Sequence, residues 1–212
     1  MIMPNHVLNK VTISGSKSDV AKCKKQILNA YKGDNGETMN FSFNTIIPMP
    51  ESLNIESSNI VEDAIKYINS NLEDIPNGWE KLSEDELERR TELGRKAIKN
   101  IELYEAKDWY DWRVKNWGTK WDCYETVVED SECSIYLEFW TAWSSPYPVL
   151  KKLSEQHPSL SIEVQYADED FGYNCGTYTL EEGEELGFVS GDYNFACSLW
   201  GCEPDEQGEN NF

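Results

Sequence analysis

Carboxylates are the chemistry this sequence offers most freely. It holds 39 Asp and Glu against 19 Lys and Arg, with only two histidines, His6 and His157. Paired carboxylates can do general acid–base work. In so acidic a chain such pairs arise by chance, so the pattern selects no position. Asp168-Glu169-Asp170, followed by Phe171-Gly172, resembles a calcium loop superficially. It lacks the Asp-x-Asp-x-Asp-Gly register and the closing Glu, and reads as an exposed turn. Two histidines give a histidine-based metal or catalytic centre little to work with. Cys197 and Cys202 form a CxxxxC pair, too loose for a zinc knuckle and without a second pair. No GxSxG, HExxH, P-loop or GxGxxG motif occurs. The sequence therefore predicts no catalytic residue, no metal ligand and no cofactor. It points to a binding protein rather than an enzyme.

Two features remain as candidate binding surfaces. The first is aromatic: Trp109, Trp112, Trp117 and Trp121 fall within 13 residues, broken by Gly118. The cluster reads either as a core plug or as an aromatic platform of Trp112, Trp117 and Trp121 that takes a small or peptide ligand. Base stacking on these rings is opposed by the surrounding acidic field. The second feature is charge. The formal net charge is −20, which excludes passive attraction to nucleic acid or anionic lipid and favours a basic partner. The charge is polarised. Residues 1–32 carry six Lys and one Asp, whereas no Lys or Arg follows Lys152, and the last 60 residues carry 14 acids. Ordinary surfaces mix signs. A one-signed array of carboxylates on a rigid sheet can imitate a phosphate backbone. The candidate partner-binding residues are Asp168, Glu169, Asp170, Glu181, Glu182, Glu184 and Glu185.

Several elements must position these groups. Alternation predicts a strand over 7–14, and a helix over 18–32 with Ser18 as N-cap and Val20, Cys23, Ile27 and Tyr31 on one face. A second strand is expected over 39–47, stopped by Pro48 and Pro50. Residues 51–115 read as a helical insertion, with a stripe from Ile60 to Ile68 and a capping box at Ser83-Glu-Asp-Glu86. Strands are expected again at 123–128 and 134–140. A helix then starts at Pro146 and stops at His157-Pro158, followed by a strand over 160–166. Further strands at 174–180 and 187–190 flank Glu181 to Glu185, and residues 203–212 read as an acidic tail. Without the insertion this is an α+β, ferredoxin-like split βαβ pattern: an antiparallel sheet with helices on one face and a C-terminal acidic hairpin. The expectation is a single domain over 1–202. The six cysteines are irregularly spaced behind no signal peptide, and are expected to be reduced in an intracellular protein. No apolar run approaches the length of a membrane span.

Five segments in order resemble the YubB-type ferredoxin-like family of phages and conjugative plasmids. They are the stretch from Asn5 to Gly15, Phe43-Asn-Thr-Ile-Ile-Pro48-Met-Pro50, Asn116-Trp-Gly-Thr-Lys-Trp-Asp122, Phe139-Trp-Thr-Ala-Trp143 through Val149, and Tyr166-Ala-Asp-Glu-Asp170-Phe-Gly172. The resemblance runs from about residue 5 to 200. It implies the split βαβ fold and a mobile-element origin, and brings no activity or catalytic residues. Charge and setting together lead to an expected function. The chain would be an acidic anti-CRISPR or anti-restriction inhibitor that binds a basic, nucleic-acid-handling host protein in the bacterial cytoplasm. The alternative is a ligand- or peptide-binding module using the Trp-rich cleft.

Overall fold

A computed structural model describes residues 5–28, 31–32 and 38–203. Contacts divide the chain into two units, Met1–Pro48 with Asn116–Phe212, and Met49–Lys115. The second begins two residues before the insertion boundary expected from sequence.

The larger unit is organised around β1 (His6–Ser14). Val7, Val11 and Ile13 alternate along it and are fully buried with Asn9, the period of a strand with one face in a core. Helix α1 (Lys17–Ile27) follows, and packs Val20, Cys23 and Ile27 inward. Its N-cap is Ser16, not Ser18: the Ser16 Oγ accepts from the Asp19 amide. The helix also stops before residue 32, because Leu28 leaves helical angles.

The alternation at 39–47 does not make a second long strand. Short β2 (Tyr31–Lys32) and β3 (Thr38–Met39) pair with each other, and Phe43–Thr45 forms a 3-10 turn. Asp122 holds that turn. Its carboxylate accepts from the Phe43 amide at 2.8 Å, the Ser42 hydroxyl at 2.5 Å and the Cys123 amide at 2.9 Å. Phe41 and Phe43 still point inward, with ring centroids 5.5 and 5.7 Å from Phe139. Their alternation reflects core packing, not strand pairing.

The remaining strands are β4 (Tyr124–Asp130), β5 (Ser134–Ala142), β6 (Ser161–Asp168), β7 (Cys175–Glu181) and β8 (Glu184–Ser190). With β1 they build one six-stranded sheet of order β4-β5-β1-β6-β7-β8, antiparallel throughout. Helix α5 (Tyr147–Gln156) joins β5 to β6. The segment β1-α1-β4-β5-α5-β6 is the split βαβ core, and β7-β8 extends it as a hairpin. The fold is therefore α+β and ferredoxin-like. Helices α1 and α5 share one face of the sheet. They are tied by Gln26, which donates to Gln156 at 2.8 Å and bonds His157 at 2.8 Å.

One element escaped the sequence reading, α6 (Tyr193–Trp200). It is capped by the Asp192 carboxylate and closed by left-handed Gly201, a regular start and stop. It lies on the opposite sheet face, which corrects the expectation of helices on one face only. Ala196, Cys197 and Leu199 pack on Leu8, Ala167 and Cys175 there. Lys10 reaches across to donate to the Leu199 carbonyl at 2.7 Å.

The inserted unit contains α2 (Asn59–Asn69), α3 (Glu84–Tyr104) and most of α4 (Trp109–Trp117). Helices α2 and α3 touch where Gly94 meets Ala64 and Ile68. A Cβ on Gly94 would stand 2.8 Å from the Ala64 Cβ, so only glycine permits the approach. Ser83 caps α3 as expected, but Glu86 completes only half of the box: its carboxylate pairs with Arg89 and Arg90 instead. Ile101 on α3 is exposed.

Burial pushes the Asp122 carboxyl above its ordinary 3.8. The folded state thus holds this proton more tightly than the unfolded chain does. The contribution favours the fold at low pH and is lost as pH rises from the ordinary value through the raised one. Asp122→Asn keeps an acceptor for both amides, and denaturant midpoints measured from about pH 3.5 to 6 should show this part of the pH dependence flattened. Asp122→Ala orphans three donors, and should cost about 3 kcal/mol in the same measurement.

Candidate functional site

The acidic hairpin is fixed more firmly than a solvated loop. Glu182 and Gly183, at φ 53° and 79°, form a two-residue turn between the paired Glu181 and Glu184, the primed geometry that matches strand twist. The Gly183 amide donates to the Ser154 Oγ of α5 at 3.0 Å, a buried bond. A Cβ on Gly183 would come within 2.6 Å of the Glu155 Cγ. The turn is therefore seated on α5, and its carboxylates stand on a rigid mount.

Strand register divides those carboxylates between the two faces. Glu181 and Glu184 lie on the α6 side of the sheet, at the end away from α6. With Glu182 they border a shallow cleft of about 530 Å³, whose other walls include Ser14, Ser161, Leu160 and Leu186. Glu185 pairs with Leu180 and lies on the α5 face. There burial and the Glu185 charge together push the Tyr147 phenol upward. None of Glu181, Glu182, Glu184 and Glu185 joins an ion pair among the described residues. The lysines near the N-terminus are largely occupied elsewhere. Lys17 and Lys24 pair with Glu132 and Asp130 of the β4–β5 hairpin, and Lys10 lies 3.7 Å from Glu138.

The other acidic run does not join this surface. Asp168 is buried, and its carboxylate accepts from Asn5 at 3.1 Å, Asn174 at 3.0 Å and the Asp170 amide at 2.9 Å. It ties a turn together and has no face left for a partner, a correction to the sequence reading. Glu169 accepts from the His6 amide at 3.0 Å, and Asp170 alone of the three is exposed. This turn sits at the opposite end of β6 and β7 from the hairpin, roughly 20 Å away at the rise of a strand. The seven acids are two separate groups.

The aromatic platform does not form either. Trp117 is 1% exposed, packs edge-on against Phe43 and donates its indole N–H to the Ile47 carbonyl at 3.0 Å. Trp112, in the inserted unit, is buried as well. Trp121 is half-buried beneath Lys120, whose Nζ lies 4.7 Å from its ring centre. Trp112 and Trp117 are too enclosed to offer a stacking face, and Lys120 lies over the half-buried Trp121.

Sequence reasoning missed the apolar edge beside the carboxylates. Every residue of β8 is exposed, and Leu186, Phe188 and Val189 are 48, 51 and 61% so. The apolar Phe-Val pair stood in the expected strand, but only the sheet order shows that β8 is its last strand. Among the described residues there is no group of three or more metal-ligating side chains, and no helix is long and apolar enough to cross a membrane.

Comparison with a family model agrees on the fold. Residues 117–211 match the family model described as the ferredoxin-like domain in Api92-like protein. That description names a fold and no activity. The chain also resembles the crystal structure of a protein api92 from Yersinia pseudotuberculosis. The two are 13% identical, with 89% of this chain and 98% of that chain covered, at a TM-score of 0.45. No curated protein matches the sequence.

Gly183→Ala places a side chain in the left-handed region and against Glu155. It should destabilise the larger unit by about 1–2 kcal/mol in thermal or denaturant unfolding.

Proposed function

We propose that this chain is a non-catalytic binding protein whose acidic C-terminal hairpin engages a basic, nucleic-acid-handling host protein. In this reading it is an inhibitor of the anti-CRISPR or anti-restriction type, of phage or plasmid origin and akin to the YubB-type family. It acts in the cytoplasm of a bacterial host. One observation carries the proposal. Glu181, Glu182, Glu184 and Glu185 stand without cationic partners on a hairpin anchored to α5, within a stretch that holds no Lys or Arg. An anchored array loses little backbone freedom on binding, so more of its electrostatic attraction survives as affinity. Lys17 and Lys24 are drawn to the β4–β5 hairpin, and Lys152 of α5, beside the turn, is paired with Glu155, so the four hairpin acids keep a net acidic field. A field of this kind meets the surface that ordinarily takes a phosphate backbone.

Reversal of Glu181, Glu182, Glu184 and Glu185 together to Lys should abolish capture of host proteins from lysate at low salt and leave the fold intact by circular dichroism. Capture by the unaltered chain should weaken steeply as salt rises. Undiminished capture by the reversed variant refutes the assignment of the surface.

A further inference from the structure

The hairpin also presents a mode of attachment. Strand β8 is the edge of the sheet, hydrogen-bonded to β7 alone among the described strands. In an antiparallel ladder, residues alternate between pairs that bond across and pairs that turn their amides outward. Glu181 and Glu184 close the two-residue turn as a bonded pair, so Glu185, opposite Leu180, directs its N–H and C=O away from β7. At the other end the Gly191 amide donates to the Cys175 carbonyl at 2.9 Å, which places Ser190, opposite Gly176, in the outward set as well. Such edges are normally blunted by Lys, Pro or a bulge. Strand β8 has the irregularity near Gly187, and neither Lys nor Pro. It adds exposed Leu186, Phe188 and Val189.

We infer that β8 accepts an extended segment of the partner as a seventh strand, one in which Lys or Arg alternates with apolar residues. This rests on the proposed function and specifies how that partner is held. Charge chooses the occupant. A second copy brings another net charge of −20, and the chain's own residues 203–212 carry four acids and no base. A cationic strand instead sets its basic residues against Glu185 on the α5 face and its apolar ones against Leu186 and Val189 on the other, while its backbone supplies the missing ladder.

The test uses the full chain, isotope-labelled, with a capped peptide alternating Lys and Val, and the same peptide N-methylated at alternate residues to remove its ladder donors. The unmodified peptide should shift the amides of β8, slow hydrogen exchange at Glu185 and Ser190, and bind about tenfold or more tighter than the N-methylated one. Leu186→Gln with Val189→Gln, both at exposed positions, should weaken it severalfold without loss of charge. Equal binding of both peptides overturns strand addition and leaves the electrostatic reading of the hairpin standing. If neither peptide perturbs β8, strand addition fails. If salt-sensitive capture of host protein is then also absent, the proposed function fails with it.

Discussion

Strand β1 must be flanked on both edges before the larger unit can exist. It pairs with β5 over His6 to Ser14 and with β6 over Val7 to Ser14, although these partners lie more than a hundred residues away in sequence. Its side chains serve two cores. Val7, Val11 and Ile13 fill the face under α1 and α5, while Leu8 belongs to the cluster under α6. A register slip of one residue would exchange these sets and bury Lys10 and Thr12 beneath the main helices. That constraint explains why a whole unit can be inserted between Pro48 and Asn116. The insertion interrupts the chain between α1 and β4, where no strand must run directly into its neighbour.

Attachment of the C-terminal hairpin to this frame gives the acidic residues their meaning. On a flexible tail, carboxylates attract a basic surface but lose entropy when they are held there. Here the turn is bonded to Ser154 and packed on Glu155, and the strands continue the ladder from β6. The same geometry separates acids that look alike in the sequence. Asp168 spends its charge on Asn5, Asn174 and a backbone amide. Glu181 and Glu184 border an open cleft.

The split βαβ order was legible because its strands alternate cleanly and Pro146 and Pro148 mark the start of α5, as Ser83 marks that of α3 in the inserted unit. The failures have physical causes. At 39–47, Phe41 and Phe43 alternate as a strand would, yet Asp122, some eighty residues on, claims the backbone at Phe43 and turns it. The helix at 193–200 is short and contains Tyr, Phe and Trp, poor helix formers. Its caps at Asp192 and Gly201 were readable, but its stability comes from the sheet face beneath it. The Trp cluster resolved toward core packing because Trp117 finds an acceptor for its N–H inside the unit.

The sequence by itself determined the alternation of strands and helices, the place of the insertion and the confinement of unopposed acids to the final stretch. These follow from residue type and spacing, which local physics translates directly. Tertiary structure alone decided which acids share a surface. Register set Glu181 and Glu184 on one face and Glu185 on the other, and put Asp168 of β6 at the end of the sheet away from the hairpin turn. It also made β8 an edge. Whether a strand lies inside a sheet or at its rim depends on every other pairing, and no local pattern encodes that.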